Sequence, residues 1–301
     1  MERRQLITGY LLSAASAFTF SIKGIFAKLL YGLGVDPVTL LAFRFAIAIP
    51  LFWLAVFFFP SGKVSAKDIL ILVLSGLLGL YAAALADFYG LVYIDASLER
   101  VILYTYPAIV VVWARIFLKE RLGRIKLASM ALTYAGLVLV MKLYGGMPES
   151  AWLIGGGLVF FSAVIYSLSY ILTEVLSRRI SGVKIAAYTT TAAGSAFIAT
   201  WRGRAVPEGI EAWSLLILIA TVSTFVPVLT LALGIKRIGA TRSAIVSFLG
   251  PVSTAILAYL ILGETMDPVQ IIGMLLIFAG VLFISLEKAP RHMKIETQTR
   301  G

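Results

Sequence analysis

Residues 94–136 read IDASLERVILYTYPAIVVVWARIFLKERLGRIKLASMALTYAG, and residues 238–280 read IGATRSAIVSFLGPVSTAILAYLILGETMDPVQIIGMLLIFAG. Laid over each other without a gap, Ile94, Ala96, Pro107, Ala114, Leu118, Glu120, Met130, Leu132, Ala135 and Gly136 recur as Ile238, Ala240, Pro251, Ala258, Leu262, Glu264, Met274, Leu276, Ala279 and Gly280, a constant shift of 144 residues. In so apolar a sequence, matched Ala, Leu and Ile carry little information. Matched Pro, Glu and Gly in one frame carry much more, and an internal repeat decides the architecture before any single site does.

The 301 residues are 60% hydrophobic and 14% charged, with mean hydropathy +0.97. A soluble domain of this length carries about 25% charged residues. Apolar runs long enough to cross a ~30 Å hydrocarbon core recur from end to end, which makes the chain a polytopic helical membrane protein. A transmembrane barrel is excluded, because its strands alternate apolar and polar over ~10 residues. There is no Cys, so disulfides, thiolate nucleophiles and Cys-based metal sites are absent, and the single His, His292, lies in the polar tail. No cofactor or metal is expected. The net charge of +11 comes from basic residues between apolar segments, an orientation signal rather than a nucleic-acid patch. The N-terminus lacks a small-residue cleavage site and reads as a retained first span.

Ten spans follow: Leu6–Leu30, Pro37–Phe59, Asp68–Tyr89, Ser97–Phe117, Leu127–Met141, Trp152–Leu176, Lys184–Trp201, Trp213–Leu233, Thr241–Ile261 and Pro268–Leu286. Pro60-Ser61-Gly62, Gly145-Gly146-Met147-Pro148 and Asp267-Pro268 punctuate them. Eighteen of the 26 Lys and Arg, from Arg3 and Arg4 through Lys119, Arg178 and Lys236 to Arg300, fall on one side, against Arg100, Lys142, Arg202 and Arg204 on the other. The basic excess marks the cytoplasm, so both termini are expected there, in a plasma (inner) membrane.

Five spans per copy is an odd number, so the second copy enters the membrane inverted. The first span also has a counterpart, 146 residues on: Ser16, Ala17, Phe20, Ser21 and Lys28 face Ser162, Ala163, Tyr166, Ser167 and Glu174. Inverted repeats are a common construction for transporters, with the substrate site near the midplane between them. The expected division is 1–145 for the first five-helix repeat, 150–288 for the second and 289–301 for a polar cytoplasmic tail.

On these residues the chain resembles the drug/metabolite transporter superfamily, specifically its EamA-type members. The resemblance rests on Tyr89-Gly90-Leu91 through Ser97-Leu98-Glu99, Leu103-Tyr104-Thr105-Tyr106-Pro107, Leu118-Lys119-Glu120-Arg121-Leu122 and Ala135-Gly136. The second copy matches with Ile238-Gly239-Ala240, Leu249-Gly250-Pro251, Leu262-Gly263-Glu264 and Ala279-Gly280-Val281, and Phe43-Arg44-Phe45 adds a further point. It implies export or uptake of small metabolites, amino acids or drugs by alternating access. It also implies a central cavity lined by spans one to four and six to nine. Many relatives carry Trp-Gly in the first span where this chain has Phe20-Ser21, so a role for an indole there does not carry over.

Charges inside spans are the first site candidates, since each costs a few kcal/mol on insertion scales unless paired or hydrated. Lys23, Lys28, Arg44, Asp87 and Glu99 converge on the outer half of the first repeat. They read either as an outward gate or substrate site, or as structural ion pairs with Lys28 and Glu99 snorkelling to the interface. Glu174, the counterpart of Lys28, is expected at the inner mouth. In span nine, Ser243, Ser247, Gly250 and Thr254 share one helical face, which lines a cavity or allows close packing. Pro107 and Pro251 occupy matching places and are expected to kink both helices. Tyr81, Tyr104, Tyr106, Tyr166 and Tyr170 lie within spans and suit either an aromatic-lined cavity or plain packing. Glu120 and Glu264 read as loop caps or salt bridges, and Gly136 and Gly280 as points of close helix approach.

An intramembrane enzyme would need a nucleophile with a base, or a metal site; the chain has no Cys, no His in a span and no H-E-x-x-H. The expected function is a transporter whose partners are a small-molecule substrate and the lipid bilayer, with no nucleic acid; the oligomeric state is left open and is compatible with a monomer. Amino acids or related zwitterions, moving outward, fit Lys23 or Arg44 together with Asp87 or Glu99. Hydrophobic cations or drugs, organic phosphates, and a passive channel are the alternatives.

Overall fold

The computed structural model describes residues 2–59, 64–94, 96–120, 122–140, 152–262 and 268–286. Among them every regular element is helical. In the first half these are α1 (Glu2–Ser21), α2 (Lys23–Gly32), α3 (Pro37–Phe58), α4 (Ala66–Gly76), α5 (Ala83–Tyr93), α6 (Ala96–Leu103), α7 (Tyr106–Phe117) and α8 (Arg124–Val140). The second half contributes α9 (Trp152–Ser177), α10 (Gly182–Trp201), α11 (Gly209–Ala220), α12 (Val226–Ile238), α13 (Ala240–Val246), α14 (Leu249–Leu262) and α15 (Pro268–Ser285).

The helix starts are written into the sequence. Asp36 accepts hydrogen bonds from the Val38 and Thr39 amides (3.0 and 3.3 Å) ahead of Pro37, so α3 begins there. Ser181 caps α10 through the Lys184 amide at 3.3 Å. Between α12 and α13 the chain turns at Gly239, whose φ of 84° no β-carbon tolerates well.

Six helical stretches are long and apolar enough to cross a membrane: Arg4–Gly32, Pro37–Phe58, Ala66–Tyr93, Leu153–Ser177, Gly209–Ile238 and Pro268–Ser285. The other four expected spans differ for physical reasons. Two are interrupted, at Tyr104-Thr105 between α6 and α7 and at Ser247-Phe248 between α13 and α14. In α10 the run Thr189-Thr190-Thr191 dilutes the apolar sequence, and α8 is 17 residues long.

The backbone repeats features as well as residues. A π-helical turn, Leu77–Ala82, joins α4 to α5, and another, Thr221–Phe225, joins α11 to α12, starting 144 residues later. α8 and α15 start at Arg124 and Pro268, again 144 apart. The packing is reciprocal: α3 lies on α10, α8 on α15, α1 on α12 and α9 on α5. Ser16 Oγ donates to the Pro227 carbonyl at 2.9 Å, and its counterpart Ser162 donates to the Ala83 carbonyl at 2.7 Å, so one bond is made twice between matching positions. Gly136 and Gly280 do what the sequence suggested. A β-carbon on Gly136 would collide with the Gly273 carbonyl, and one on Gly280 with Ser129 and Thr133, so both glycines allow α8 and α15 to touch backbone to backbone.

Candidate functional site

Three cavities of about 580, 450 and 370 Å³, volumes that include space open to the surroundings, share lining residues, and Tyr166 of α9 borders all of them. Neither α8 nor α15 contributes to them. Lys23, Arg44 and Asp87 line the largest, together with Ser16, Phe20, Phe88 and Ser162. All three charged residues are buried, so each position needs a physical account.

Lys23 opens α2 just after the break at Ile22, where the chain shifts away from α1. Its ammonium pairs with Asp87 of α5 and lies 3.7 Å from Glu99 of α6. The rings of Phe20 and Phe88 face it, with centroids at 4.8 and 5.3 Å, within cation–π range. Glu99 is 0% exposed and also lies 3.5 Å from Arg100 Nε. Arg100 in turn donates to the Ser21 carbonyl at 3.0 Å. Neither Glu99 nor Arg100 snorkels: Glu99 sits behind Lys23, outside the largest cavity, as the counter-ion shared by Lys23 and Arg100.

Arg44 is held by the second π-helical turn. Pro227 has no N–H, which frees the Ser223 carbonyl four residues earlier, and Arg44 Nη2 donates to that carbonyl at 3.1 Å. Arg44 Nε donates to Thr224 Oγ1 at 2.5 Å. Arg44 Nη1 and Asp87 Oδ1 have no hydrogen-bond partner among the described residues, and neither do the two oxygens of Glu99 behind them. A buried polar atom left this way costs about 1–3 kcal/mol, more when charged. The cavity therefore holds one cationic and one anionic group, each with bonding capacity left over.

The aromatic candidates divide. Tyr104, Tyr106, Tyr166 and Tyr170 surround the smallest cavity with Ser13, Arg100 and Ser247. Tyr170 Oη donates to Tyr106 Oη at 3.2 Å, Tyr106 Oη donates to Ser247 Oγ, and Tyr104 Oη donates to the Ser247 carbonyl at 3.0 Å. Tyr166 stacks on Phe20, its counterpart in the first copy, with ring planes 3° apart. Tyr81 lies elsewhere, bonded to Thr200 at 2.8 Å and packed on Phe197. Ser243 accepts from Ser13 Oγ at 3.1 Å and Thr254 bonds back to the Gly250 carbonyl, both away from the three cavities.

The chain is interrupted just ahead of Pro107 and Pro251, and each proline stands in the first turn of the helix that follows, α7 or α14. Thr105 and Ser247 at the interruptions keep right-handed helical dihedrals, and the missing proline N–H leaves the carbonyl four residues back without a helical donor. Both breaks are bridged by tyrosines. Tyr134 of α8 donates to the Tyr104 carbonyl at 3.0 Å and accepts from the Ala108 amide at 3.1 Å. Tyr104 itself serves the second break, through Ser247. Tyr134 has no counterpart role in the repeat pattern, and the sequence gives no sign of its partner.

At the opposite end of the bundle, Glu174 accepts from the Ala240 amide at 2.6 Å, and Glu120 accepts from Thr241 Oγ1 and Lys126 Nζ, both at 2.5 Å. These two carboxylates hold the start of α13. Lys28 holds the matching connection in the first half, donating to the Leu91 carbonyl at 2.8 Å. Glu264 and Lys142 lie outside the described residues.

Known proteins place this architecture. The sequence matches the EamA-like transporter family over residues 7–142 and 153–286. It is 29% identical over 303 residues to the uncharacterized transporter YcbK of Bacillus subtilis, covering 97% of this chain and 96% of that one. It is 25% identical to a probable terminal-alkyne amino-acid exporter of Streptantibioticus cattleyicolor, covering 95% and 94%, and 25% identical to the pseudopaline exporter CntI of Pseudomonas aeruginosa, covering 94% and 98%. A crystal structure with 19% sequence identity superposes with a TM-score of 0.80 over 92% of this chain and 98% of the other, which shows the shared fold. With two matches that together run nearly end to end, the chain belongs to the EamA-like transporter family and is a multi-pass membrane transporter, not an enzyme.

Proposed function

We propose that the protein exports amino acids or related zwitterions across the plasma membrane by alternating access. Its ten spans form two inverted five-helix repeats, residues 1–145 and 150–288, with both termini cytoplasmic. The reading is carried by one observation: Lys23, Arg44 and Asp87 line a single cavity, and Arg44 Nη1 and Asp87 Oδ1 have no hydrogen-bond partner among the described residues. A carboxylate suits the guanidinium and an ammonium suits the aspartate. The amino-acid exporter among the relatives supports the same substrate class.

Hydrophobic cations fit less well, because Lys23 and Arg44 already take the Phe20, Phe45 and Phe88 ring faces. Organic phosphates fit less well beside Asp87. Counterflow into liposomes containing the purified protein tests this directly, with amino acids, organic cations and organic phosphates as competitors. Amino acids are expected to compete and Arg44→Gln to raise the half-saturating concentration roughly 10- to 100-fold. Competition by cations or phosphates alone would overturn the assignment.

A further inference from the structure

The cavity of about 450 Å³ repeats the position of the charged one but not its chemistry. Ser169 stands 146 residues after Lys23, Thr189 stands 145 after Arg44 (the spacing of the caps Asp36 and Ser181), and Leu231 stands 144 after Asp87. All three line this second cavity, and among the described residues no Asp, Glu, Lys, Arg or His does. It meets the first at a shared wall that includes Leu80, Tyr166 and Leu231.

Three of its hydroxyls spend their protons inside the protein. Ser169 Oγ donates its proton to the Tyr166 carbonyl at 2.6 Å, and Thr189 Oγ1 donates to the Ile185 carbonyl at 2.8 Å, the back-bonding that helical Ser and Thr favour. Tyr170, on the same wall, donates to Tyr106. Each hydroxyl has one proton and two lone pairs, so these three have acceptor capacity left, while the Ser75 and Thr173 hydroxyls of the same cavity have no hydrogen-bond partner among the described residues and keep their protons as well. A carboxylate would meet hydroxyls but no cation. A second ammonium would lack an anion. An aliphatic tail would leave the acceptors unsatisfied in a buried site.

Resting on the zwitterion reading above, we infer that this second cavity is a binding chamber for a neutral, hydrogen-bonding side chain, an amide or hydroxyl, so that the substrate class is the polar uncharged amino acids. The charged chamber takes the ammonium and carboxylate common to all amino acids. The hydroxyl chamber selects among them by the tail.

The test uses three nearly isosteric amino acids, L-glutamine, L-glutamate and L-methionine, as competitors of radiolabelled L-glutamine counterflow in liposomes holding the full chain. Glutamine is expected to compete at about tenfold lower concentration than the other two, the worth of one to two net hydrogen bonds. Ser169→Ala and Thr189→Val are expected to shrink that gap towards unity by raising the glutamine requirement and lowering that of methionine. Two variants guard against one failing to fold, and retained methionine exchange shows that the protein is intact. Equal competition by glutamine and methionine in the wild type overturns the hydroxyl chamber and leaves the zwitterion site standing. A preference that survives in both variants also overturns it. No counterflow with any of the three amino acids overturns the zwitterion reading itself, and the chamber with it.

Discussion

The charged cavity and the hydroxyl cavity occupy matching places in the two halves of one chain, yet Lys23, Arg44 and Asp87 have become Ser169, Thr189 and Leu231. The backbone around them is the same: a π-helical turn at Leu77–Ala82 and at Thr221–Phe225, a helix break before Pro107 and before Pro251. The two helix breaks follow from the missing proline N–H at Pro107 and Pro251, while the π-helical turn recurs without a shared proline, since Ala83 stands where Pro227 does. Ionic chemistry rests on single side chains and is free to diverge. The outcome is a scaffold with two equivalent places and only one seat for charge.

The largest expected effect comes from making the first chamber resemble the second. Asp87→Leu alone leaves Lys23 buried without its close partner, and removing one member of a buried ion pair costs about 3–5 kcal/mol. The double variant Lys23→Ser with Asp87→Leu removes both charges and leaves Glu99 paired with Arg100. Thermal melting in detergent should show the double variant recovering most of the loss, while neither variant exchanges substrate. A double variant no more stable than Asp87→Leu would mean that Lys23 and Asp87 are not an energetic pair. A double variant that still transports would separate the ion pair from function altogether.

Next comes Arg44→Thr, again borrowing the residue of the second chamber. A hydrogen bond to a charged group is worth about 1.5–3 kcal/mol, so the half-saturating concentration should rise roughly 10- to 100-fold in liposome exchange. Arg44→Lys should not restore it. Ser223 and Thr224 hold the guanidinium through Nη2 and Nε, and this leaves the third nitrogen free in a way a single ammonium cannot reproduce. Restoration by lysine would reduce the role of Arg44 to charge alone.

What could be read from the residues was whatever depends on local sequence. The period of 144 was visible in Pro107 and Pro251, and α8 and α15 start at positions 144 apart. Lys23, Arg44 and Asp87 stood out because a charge in an apolar segment is conspicuous. What could not be read was which helices face one another. Arg100 looked like a loop charge and is buried on Ser21. Ser243 and Thr254 shared a helical face with Ser247, but only Ser247 borders a cavity, because spacing defines a face without naming its neighbour. Ser16, Ser162 and Tyr134 bond to carbonyls on helices that no local pattern identifies. Pro227 matters through the Ser223 carbonyl it frees, and that signal was present but needed Arg44 beside it to acquire meaning.

The connections after the two π-containing stretches sharpen the comparison on a smaller scale. Glu174 is buried and grips an amide; Lys28, its counterpart, is more exposed and grips carbonyls. Glu174→Leu should cost about 1–3 kcal/mol because the Ala240 amide is left buried without an acceptor. Lys28→Met should cost under about 1 kcal/mol, since an exposed charge contributes little. Equal losses in melting experiments would mean that the two ends are held alike despite their opposite signs.

The smallest effect separates two helix caps. Asp36 caps α3 and Ser181 caps α10, at matching positions on the paired helices, but only the aspartate titrates. Partial burial works to raise its pKa; the Thr39 hydroxyl and amide, the Val38 amide and Arg204 outweigh this and hold it below the usual 3.8. A carboxylate with a lowered folded-state pKa adds stability that is full above the unfolded value and is lost as pH falls through the folded one. The α3 cap should therefore weaken only below about pH 4, by at most about 1 kcal/mol given its exposure. Melting the wild type and Asp36→Ser side by side between about pH 6 and pH 3 isolates the effect. The serine, which is what α10 already uses, should remove the part of the acid loss that belongs to α3. An identical acid response in the two proteins would mean that Asp36 caps through its geometry and not through its charge.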